Sequence, residues 1–344
     1  MTAGRPPLPS LISVVVTCYN LERYIGEAIG SVLAQVDAGA VEIIVVDDCS
    51  TDGSAQVIAE FDDVRIVRTE RNCGVMLAML AGVEAALGDL VCFLDGDDAW
   101  ESGKLATVRR CFDENQTVAM VTHDLIYIDS DGRPLDRRSL PAARVSVAAP
   151  KDRAALVRKG ILELDDYVWL GSALCIRRSL SEWDQFVAWT HSLPDPRNTY
   201  QDWPLAYWVA ALDGVAMAYT SAPLLRYRLH GANHSGDSRT VERAARNFTR
   251  TRNTTAAIVD IAEMRGLDPR LRRIARQRFA LTQAQVDLYD GRSAAALGGF
   301  ARSIAYLAGR RLLAKEAMRF LAIAVLGRKR FTRLLARWAA SRLA

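Results

Sequence analysis

Apolar and polar positions alternate in blocks along the first hundred residues of the chain. Four short apolar runs rich in β-branched side chains are typical of strands that are buried on both faces, and they cover residues 11–17, 42–46, 64–67 and 90–94. The segments between these runs place apolar residues at helical spacing, and they predict helices over 21–35, after the capping residues 50–53 as far as residue 61, and over 75–87. This order predicts an α/β fold with a doubly wound, mostly parallel sheet. Ligands are then expected at the carboxyl ends of the strands.

Beyond residue 100 the pattern predicts elements of less regular order. They are a helix over 102–113, a long strand over 118–128, an irregular segment over 134–150, a helix over 152–159, a strand over 172–176, a helix over 202–212, and strands over 215–219 and 224–229. From about residue 240 the chain is rich in Ala, Arg and Leu at helical spacing. We therefore expect an N-terminal tail (1–10), an α/β domain (11–238) and an α-helical extension (239–344).

Composition narrows the class of function. The 344 residues have a net charge of +4 and are 50% hydrophobic, which is ordinary for a globular protein. The sequence has no zinc-finger spacing and no basic strand with interspersed aromatic residues, so nucleic acid is not an expected partner. Six scattered cysteines without a C-x-x-C pair favour a reducing compartment. With no signal-peptide pattern and no apolar run of about twenty residues, we expect a cytoplasmic protein.

A cluster of carboxylates directly after the fourth apolar run is the sharpest chemical feature. Asp95 and Asp97 stand at positions i and i+2 of an extended segment, so their side chains point to the same side. Gly96 between them lets a ligand approach the backbone. Oxygen ligands of this kind suit Mg²⁺ or Mn²⁺, which often bind substrate phosphates as well. The structural alternative is an acidic turn in which Asp98 caps the next helix.

Polar residues also follow the first and second strands. Asp48 could accept a hydrogen bond from the N–H of a pyrimidine base, or it could cap the helix that comes next. Tyr19 could stack on that base or pack in the core. Because the carboxyl ends of parallel strands share one edge of the sheet, these residues and the acidic cluster are expected to lie together.

Four stretches, in this order, resemble the nucleotide-sugar-binding half of the family 2 glycosyltransferases, which are inverting enzymes of the glycosyltransferase-A fold. They are 13–20 (SVVVTCYN), 45–54 (VVDDCSTDGS), 72–74 (NCG) and 93–100 (FLDGDDAW). Later pieces are similar too: Gly171-Ser172, Ile176-Arg177-Arg178, Gln201-Asp202 and Tyr227-Arg228-x-His230-x-x-Asn233-x-Ser235. The resemblance covers about residues 10–236. It implies a donor half (11–132) and an acceptor half (133–238).

The resemblance implies a role for each matched residue. Thr17, Tyr19 and Asp48 would hold the nucleobase, and Asp95 the ribose. Asp97 would bind Mn²⁺ or Mg²⁺ on the diphosphate, His230 would reach the diphosphate or the metal, and Asp202 would be the general base. A helix cap for Asp202 and an ordinary hydrogen bond for His230 are the alternatives. Two departures stand out: no Arg-x-Asn element follows Gly74, and Gln201 replaces the usual Glu.

The implied activity is that of a hexosyltransferase in polysaccharide biosynthesis. A diphosphate is a good leaving group, so the reaction needs a cation on the diphosphate and one base for the acceptor hydroxyl. The donor would be a nucleotide diphosphate sugar, with UDP favoured by its frequency in the family, and the acceptor a glycan or a lipid-linked glycan. A nicotinamide-dependent oxidoreductase or a nucleotidyltransferase would carry a glycine-rich loop after the first strand, which this chain lacks. A catalytically silent nucleotide- or glycan-binding subunit of a polysaccharide assembly complex remains the alternative.

The end of the chain carries a basic amphipathic pattern. Residues 317–327 are apolar, and six basic residues without an acidic one follow them. Apolar side chains recur there at helical spacing opposite the charges: Phe331, Leu334, Leu335 and Trp338. Such a helix can lie on anionic lipid, or it can pack on the catalytic domain with its basic face in solvent. We expect peripheral contact with the inner face of the cell membrane.

Overall fold

The computed structural model describes residues 8–135, 150–164, 171–230, 240–307 and 317–323, together with residues 327 and 330. They belong to two compact units, Met1–Leu229 and His230–Ala344. Most of the irregular segment predicted for 134–150 and the amphipathic residues after 330 lie outside the described residues.

The first unit alternates strands and helices through its first half. Its described strands are β1 (Leu8–Cys18), β2 (Val41–Asp47), β3 (Val64–Arg68), β4 (Gly88–Asp95), β5 (Ala99–Trp100), β6 (Val118–Ile128), β7 (Cys175–Arg177) and β8 (Ala216–Arg228). Its described helices are α1 (Ile25–Leu33), α2 (Ser54–Ile58), α3 (Val75–Ala85), α4 (Lys104–Glu114), α5 (Pro150–Leu162), α6 (Trp183–Ser192) and α7 (Asp202–Ala210).

All eight strands form one sheet, in the order β3-β2-β1-β4-β7-β6-β8-β5. The β1–β2, β2–β3, β1–β4 and β6–β8 pairs are parallel, whereas β7 runs antiparallel to both of its neighbours and β5 runs antiparallel to β8. The predicted α/β class with a mostly parallel sheet is therefore confirmed. The carboxyl ends of β1, β2 and β4 form one edge.

Close packing between α3 and the sheet depends on a glycine. A Cβ atom added at Gly82 would lie 2.3 Å from Cγ1 of Val15 and 2.9 Å from Cγ2 of Val46. These separations are far below van der Waals contact, so only a residue without a side chain lets the helix approach β1 and β2 this closely. Gly82 therefore sets how closely α3 packs on β1 and β2.

Several predicted boundaries differ from the structure. Helix α1 begins at Ile25 rather than near Leu21, because Asn20 is left-handed (φ 55°) and the chain turns before the helix starts. The strand predicted over 172–176 is a 3₁₀ turn (Gly171–Ala173) followed by β7. The two strands predicted over 215–229 form the single strand β8, whose register with β6 shifts next to Pro223.

The described part of the second unit consists of helices and short connections. Helices α8 (Val241–Met264), α9 (Pro269–Tyr289) and α10 (Ser293–Leu307) are followed by helical residues 317–323. The hydroxyl of Thr240 and the carboxylate of Asp268 cap the first two helices, as their residue types favour. The predicted helical extension is confirmed. Among the described residues, no helix is both long and apolar enough to cross a bilayer.

Candidate active site

The loops after β1 and β2 hold each other at the carboxyl edge of the sheet. The side-chain oxygen of Asn20 accepts a hydrogen bond from the Thr51 backbone N–H at 2.7 Å. The hydroxyls of Ser50 and Ser54 accept from the backbone N–H groups of Asn20 and Leu21, at 3.0 and 2.8 Å. Polar residues of the 13–20 and 45–54 stretches therefore bind the two loops to each other. They fix the loop that carries Tyr19, which is 36% exposed.

Asp48 ties the end of β2 to the loop before α3. Its Oδ1 accepts hydrogen bonds from the Thr69 hydroxyl (2.8 Å) and from the N–H (2.8 Å) and thiol (2.9 Å) of Cys73. Its Oδ2 accepts from the Gly74 N–H at 2.8 Å. Helix α2 has Gly53 at its N-cap, so the capping alternative for Asp48 is wrong. Because a carboxylate has about four acceptor positions, Oδ2 keeps one for a further donor.

Gly74 is required by its backbone. Its φ is +85°, and an added Cβ would lie 2.4 Å from the carbonyl oxygen of Arg197. The guanidinium of Arg197 donates to the side-chain oxygen of Asn72 at 3.2 Å. The 3₁₀ turn at Pro196–Asn198 therefore packs against the Asn72–Gly74 loop, whose N–H groups bind Asp48.

Asp95 and Gly96 join the ends of β1 and β4. The hydroxyl of Thr17 donates to Asp95 Oδ1 at 3.1 Å, and the Gly96 N–H donates to the Thr17 carbonyl at 2.8 Å. A Cβ at Gly96 would lie 2.8 Å from that same carbonyl oxygen, so a side chain would push the two loops apart. The structure thus places two predicted donor-site residues, Thr17 and Asp95, in direct contact.

Asp98 is structural. Its Oδ2 accepts from the Ser172 hydroxyl at 2.7 Å and its Oδ1 from the Arg228 N–H at 2.9 Å, which links β4 to β8. Helix α4 has Gly103 at its N-cap, so the predicted alternative that Asp98 caps this helix is wrong. Burial first, and then the charges of Asp97 and Asp95, raise the pKa of the Asp98 carboxyl well above its usual range.

Arg228 and Lys104 are buried cations to which sequence reasoning gave no role. Arg228 donates to the Asp97 carbonyl at 2.8 Å and to the Glu27 carboxylate. Lys104 donates to the Ser172 carbonyl at 2.6 Å and lies 3.7 Å from the centre of the Trp100 ring. Burial lowers the pKa of Lys104 to about 8. Neither residue stands within an uninterrupted apolar run, so no local pattern in the sequence shows that it is buried.

Asp95 and Asp97, which follow β4, are called the acidic edge below. Asp202 lies close to Asp95, at the first turn of α7. Gln201, not Asp202, occupies the N-cap position of α7, so the capping alternative for Asp202 is wrong. The Asp202 Oδ1 accepts a hydrogen bond from the Trp203 N–H at 2.9 Å. The Gln201 amide donates to Asp95 Oδ1 at 3.3 Å. Burial and the charge of Asp95 raise the pKa of Asp202 to about 7, and burial with the charge of Asp97 does the same for Asp95. The carboxyls at 95, 97 and 202 thus form one electrostatic cluster.

The acidic edge concentrates negative charge at Asp95 and Asp97. Among the residues that the structure describes, no three His, Cys, Asp or Glu side chains are grouped closely enough to hold a metal ion by themselves. The charge of Asp97 nevertheless raises the pKa of Asp95, and a cation would relieve this repulsion. His230 begins the second unit, so its predicted approach to a metal at Asp97 stays a prediction.

Comparison with known proteins identifies the chain. The sequence profile of Glycosyl transferase family 2 matches residues 13–170. An uncharacterized glycosyltransferase of Nostoc sp. is 32% identical over 246 residues, which are 69% of this chain and 70% of that protein. The chain belongs to glycosyltransferase family 2. Its membership confirms the predicted family and the class of enzyme.

Other relatives extend the comparison. The putative teichuronic acid biosynthesis glycosyltransferase TuaG of Bacillus subtilis is 34% identical over 141 residues, which cover 40% of this chain and 54% of TuaG. The crystal structure of S. aureus TarS 1-349 in complex with UDP-GlcNAc aligns with a TM-score of 0.55 and 15% identity, over 87% of this chain and 92% of that one. At this identity the similarity shows a shared fold. The chain spans about half of TuaG, so the specific activity is a matter for proposal.

Proposed function

We propose that this family 2 glycosyltransferase moves a sugar from a nucleotide diphosphate sugar to a hydroxyl group of a glycan or lipid-linked glycan, with inversion at the anomeric carbon. The observation that carries the proposal is the approach of Asp202, from the start of α7, to Asp95 after β4: the neighbouring Gln201 amide donates to Asp95 Oδ1 at 3.3 Å, and burial together with the charge of Asp95 raises the pKa of Asp202. The name of TuaG supports a role in polysaccharide synthesis, and the TarS complex makes UDP the first nucleotide to test.

The nucleoside would bind at the edge formed by β1, β2 and β4. Asp48 Oδ2 has an acceptor position left for the N–H of a pyrimidine, and the exposed ring of Tyr19 can stack on the base. Thr17 and Asp95, which already contact each other, would bind the base and the ribose. Because Asp48 also holds the Asn72–Gly74 loop, its loss should disturb both the loop and nucleotide binding.

The diphosphate end would use a divalent cation. Asp97, together with His230 and the phosphate oxygens, would hold Mn²⁺ or Mg²⁺. A cation bound there neutralises the negative charge that grows on the departing diphosphate. Arg228 fixes the backbone at Asp97 through the bond to its carbonyl oxygen, so the Asp97 carboxylate is held in place before substrate arrives.

Asp202 would act as the general base. Its carboxylate takes the proton of the acceptor hydroxyl while the hydroxyl oxygen bonds to C1 of the sugar and the bond from C1 to the diphosphate breaks. A pKa raised towards neutrality makes the carboxylate a better proton acceptor than an ordinary Asp. One base on the face opposite the leaving group gives direct displacement and therefore inversion.

The test is turnover of donor by Asp202→Asn. UDP release is measured with Mn²⁺ and a panel of UDP-sugars, because transferases of this kind pass sugar slowly to water. We expect Asp202→Asn to lose about 100-fold or more of the rate, since a general base contributes about this much. Asp184→Asn, which changes an exposed Asp in the first turn of α6, is the matched control and should keep the rate. Undiminished turnover by a folded Asp202→Asn variant would rule out Asp202 as the general base.

The same assay separates the proposal from the silent-subunit alternative. If UDP raises the melting temperature of the parent protein but no donor in the panel is turned over, the chain binds nucleotide without catalysis, and the enzymatic proposal fails. Release of UDP by the parent protein, lost in Asp202→Asn, supports catalysis.

We also propose that the second unit contacts an anionic membrane surface. Four large apolar side chains are exposed on α10 and on the helical segment 317–323: Leu297 (62%), Ile304 (43%), Met318 (65%) and Leu321 (66%). The rings of Phe300 and Phe320 stack between these two segments, with their centres 4.6 Å apart. The four exposed side chains do not take part in this packing. Residues 292–344 contain twelve Lys and Arg and one acidic residue. Exposed apolar groups beside a strongly basic segment fit anionic lipid headgroups.

Co-sedimentation with phosphatidylglycerol vesicles tests the membrane contact. The parent protein should bind these vesicles and not phosphatidylcholine vesicles. The double variant Met318→Glu/Leu321→Glu should lose most of the binding, because it places charges where acyl chains would lie. Met264→Glu is the control, since Met264 is 51% exposed at the end of α8 and precedes the basic stretch 292–344 in the sequence. No binding by the parent, or equal loss in the control, would contradict the proposal.

A further inference from the structure

Cys92 and Cys175 stand directly opposite each other in the antiparallel pair β4–β7. The next pair along the ladder is hydrogen-bonded, because the Phe93 N–H donates to the Leu174 carbonyl at 3.2 Å. The two cysteines therefore occupy a non-hydrogen-bonded position, where Cα atoms are about 4.5 Å apart and side chains are closest. Disulfides join Cα atoms that are about 4.4–6.8 Å apart. The register of the two strands places the thiols within reach of a bond.

The surroundings of the pair distinguish it from the other thiols. Both side chains are fully buried, and they are hydrogen-bonded to each other. Burial opposes ionisation of Cys175, but the hydrogen bond from Cys92 and the ammonium of Lys104 lower its pKa. By contrast, burial raises the pKa of Cys18 to about 11 and that of Cys73 to about 12. Because the thiolate is the reactive form, Cys175 is the better nucleophile.

We propose that Cys92 and Cys175 are a modification site, at which hydrogen peroxide forms an intramolecular disulfide across β4 and β7. Peroxide first converts the Cys175 thiolate to a sulfenic acid and releases hydroxide. The Cys92 sulfur then attacks the sulfenic sulfur, the S–O bond breaks, and water leaves. In total the two thiols lose two electrons and two protons, and peroxide becomes two waters. The full burial of the pair calls for an oxidant as small as peroxide.

The position of the pair connects it to the acidic edge. Cys92 is three residues before Asp95, and Cys175 is three residues after Ser172, whose hydroxyl accepts from the Asp95 N–H at 3.0 Å. Lys104, which faces the thiols, also donates to the Ser172 carbonyl. A disulfide between Cys92 and Cys175 would join β4 to β7 three residues before Asp95 of the acidic edge. The site itself does not depend on the proposed function.

The test maps disulfides after oxidation of the native protein. The full chain is treated with hydrogen peroxide, denatured in an alkylating agent and digested, and its peptides are weighed. We expect one linked peptide pair, Cys92 with Cys175, which dithiothreitol separates. Cys175→Ala should abolish the link, and Cys111→Ala, which removes a half-buried thiol on α4, should keep it.

Two results would overturn the proposal. One is recovery of Cys92 and Cys175 as alkylated thiols while peroxide has modified other cysteines. The other is a link that forms only when oxidation is carried out in urea, because the native register would then not be its cause. The mapping of the parent protein decides the question even if Cys175→Ala fails to fold.

Discussion

Repulsion between carboxylates shapes the acidic edge at the scale of single residues. Asp95 and Asp202 are each pushed towards neutrality by burial and by a neighbouring charge, and the hydrogen bond from Thr17 only partly compensates at Asp95. Charged groups held together against their repulsion lower the stability of a fold, and they are common where a substrate or a cation will use them.

The raised pKa of Asp202 predicts how its removal changes stability with pH. Since the folded pKa is about 7 and the unfolded value is near 3.8, the free energy of unfolding falls as pH rises from about 4 to 7 and stays low above that range. Asp202→Asn should therefore stabilise the protein by about 1–3 kcal/mol at pH 8 and have little effect near pH 4. Melting temperatures at the two pH values measure this. Equal destabilisation at both would refute the raised pKa.

Sequence reasoning predicted that acidic and polar residues gather at one edge of the sheet, but it did not predict the bonds between them. Asp48, Asp95, Asp97 and Asp202 follow strands or begin a helix, so the fold class alone brings them to one edge. The bridging of Asp98 by Ser172 and Arg228 joins residues far apart in the chain, and no local pattern encodes such pairs. Asp98 consequently looked like a helix cap, although its carboxylate is part of the buried framework.

At the scale of elements, the loop before α3 depends on one glycine. Gly74 and Gly103 have nearly the same φ, +85° and +82°, but only Gly74 has a neighbour that an added Cβ would strike, the Arg197 carbonyl at 2.4 Å. The two glycines also differ in ψ, which is 158° at Gly74 and 3° at Gly103, and only glycine readily adopts the first conformation. Both the Arg197 contact and the backbone conformation therefore require glycine at position 74.

Substitution of the two glycines should show that position 74 is the more demanding of the two. Gly103→Ala should lower the free energy of unfolding by about 1 kcal/mol, from backbone strain alone. Gly74→Ala should lower it by about 3 kcal/mol or more, and should also weaken UDP binding, since the same loop donates two N–H groups to Asp48. Urea unfolding and UDP titration give the two quantities. Equal losses for the two variants would contradict the special requirement for glycine at position 74.

The sequence predicts the parallel half of the sheet better than the rest. The strands β1 to β4 alternate with helices, so apolar runs and helical spacing suffice to order them. Strand β7 has only three residues and is ordered by its neighbours β4 and β6, which lie about fifty or more residues away in sequence. Strand β8 contains Pro223 at a register shift, and the proline made one strand resemble two.

At the scale of the whole molecule, charge is distributed unevenly. The net charge of +4 hides a basic stretch, residues 292–344, while the remaining residues are acidic overall. The composition predicted an ordinary globular protein and could not show that exposed apolar side chains accompany this basic stretch. The basic amphipathic pattern already predicted membrane contact and the spacing predicted a helical extension, whereas the exposed apolar side chains on α10 and on residues 317–323 are seen only in the structure.

The anomeric configuration of the first product tests the central claim most directly. The protein is given a UDP-α-sugar that it turns over, with Mn²⁺, and the sugar passed to water is observed by proton NMR before it equilibrates between anomers. Direct displacement with Asp202 as the base predicts that the β-anomer appears first, and that Asp202→Asn releases far less of it. The α-anomer as first product would contradict inversion, and with it the role of a single base in this site.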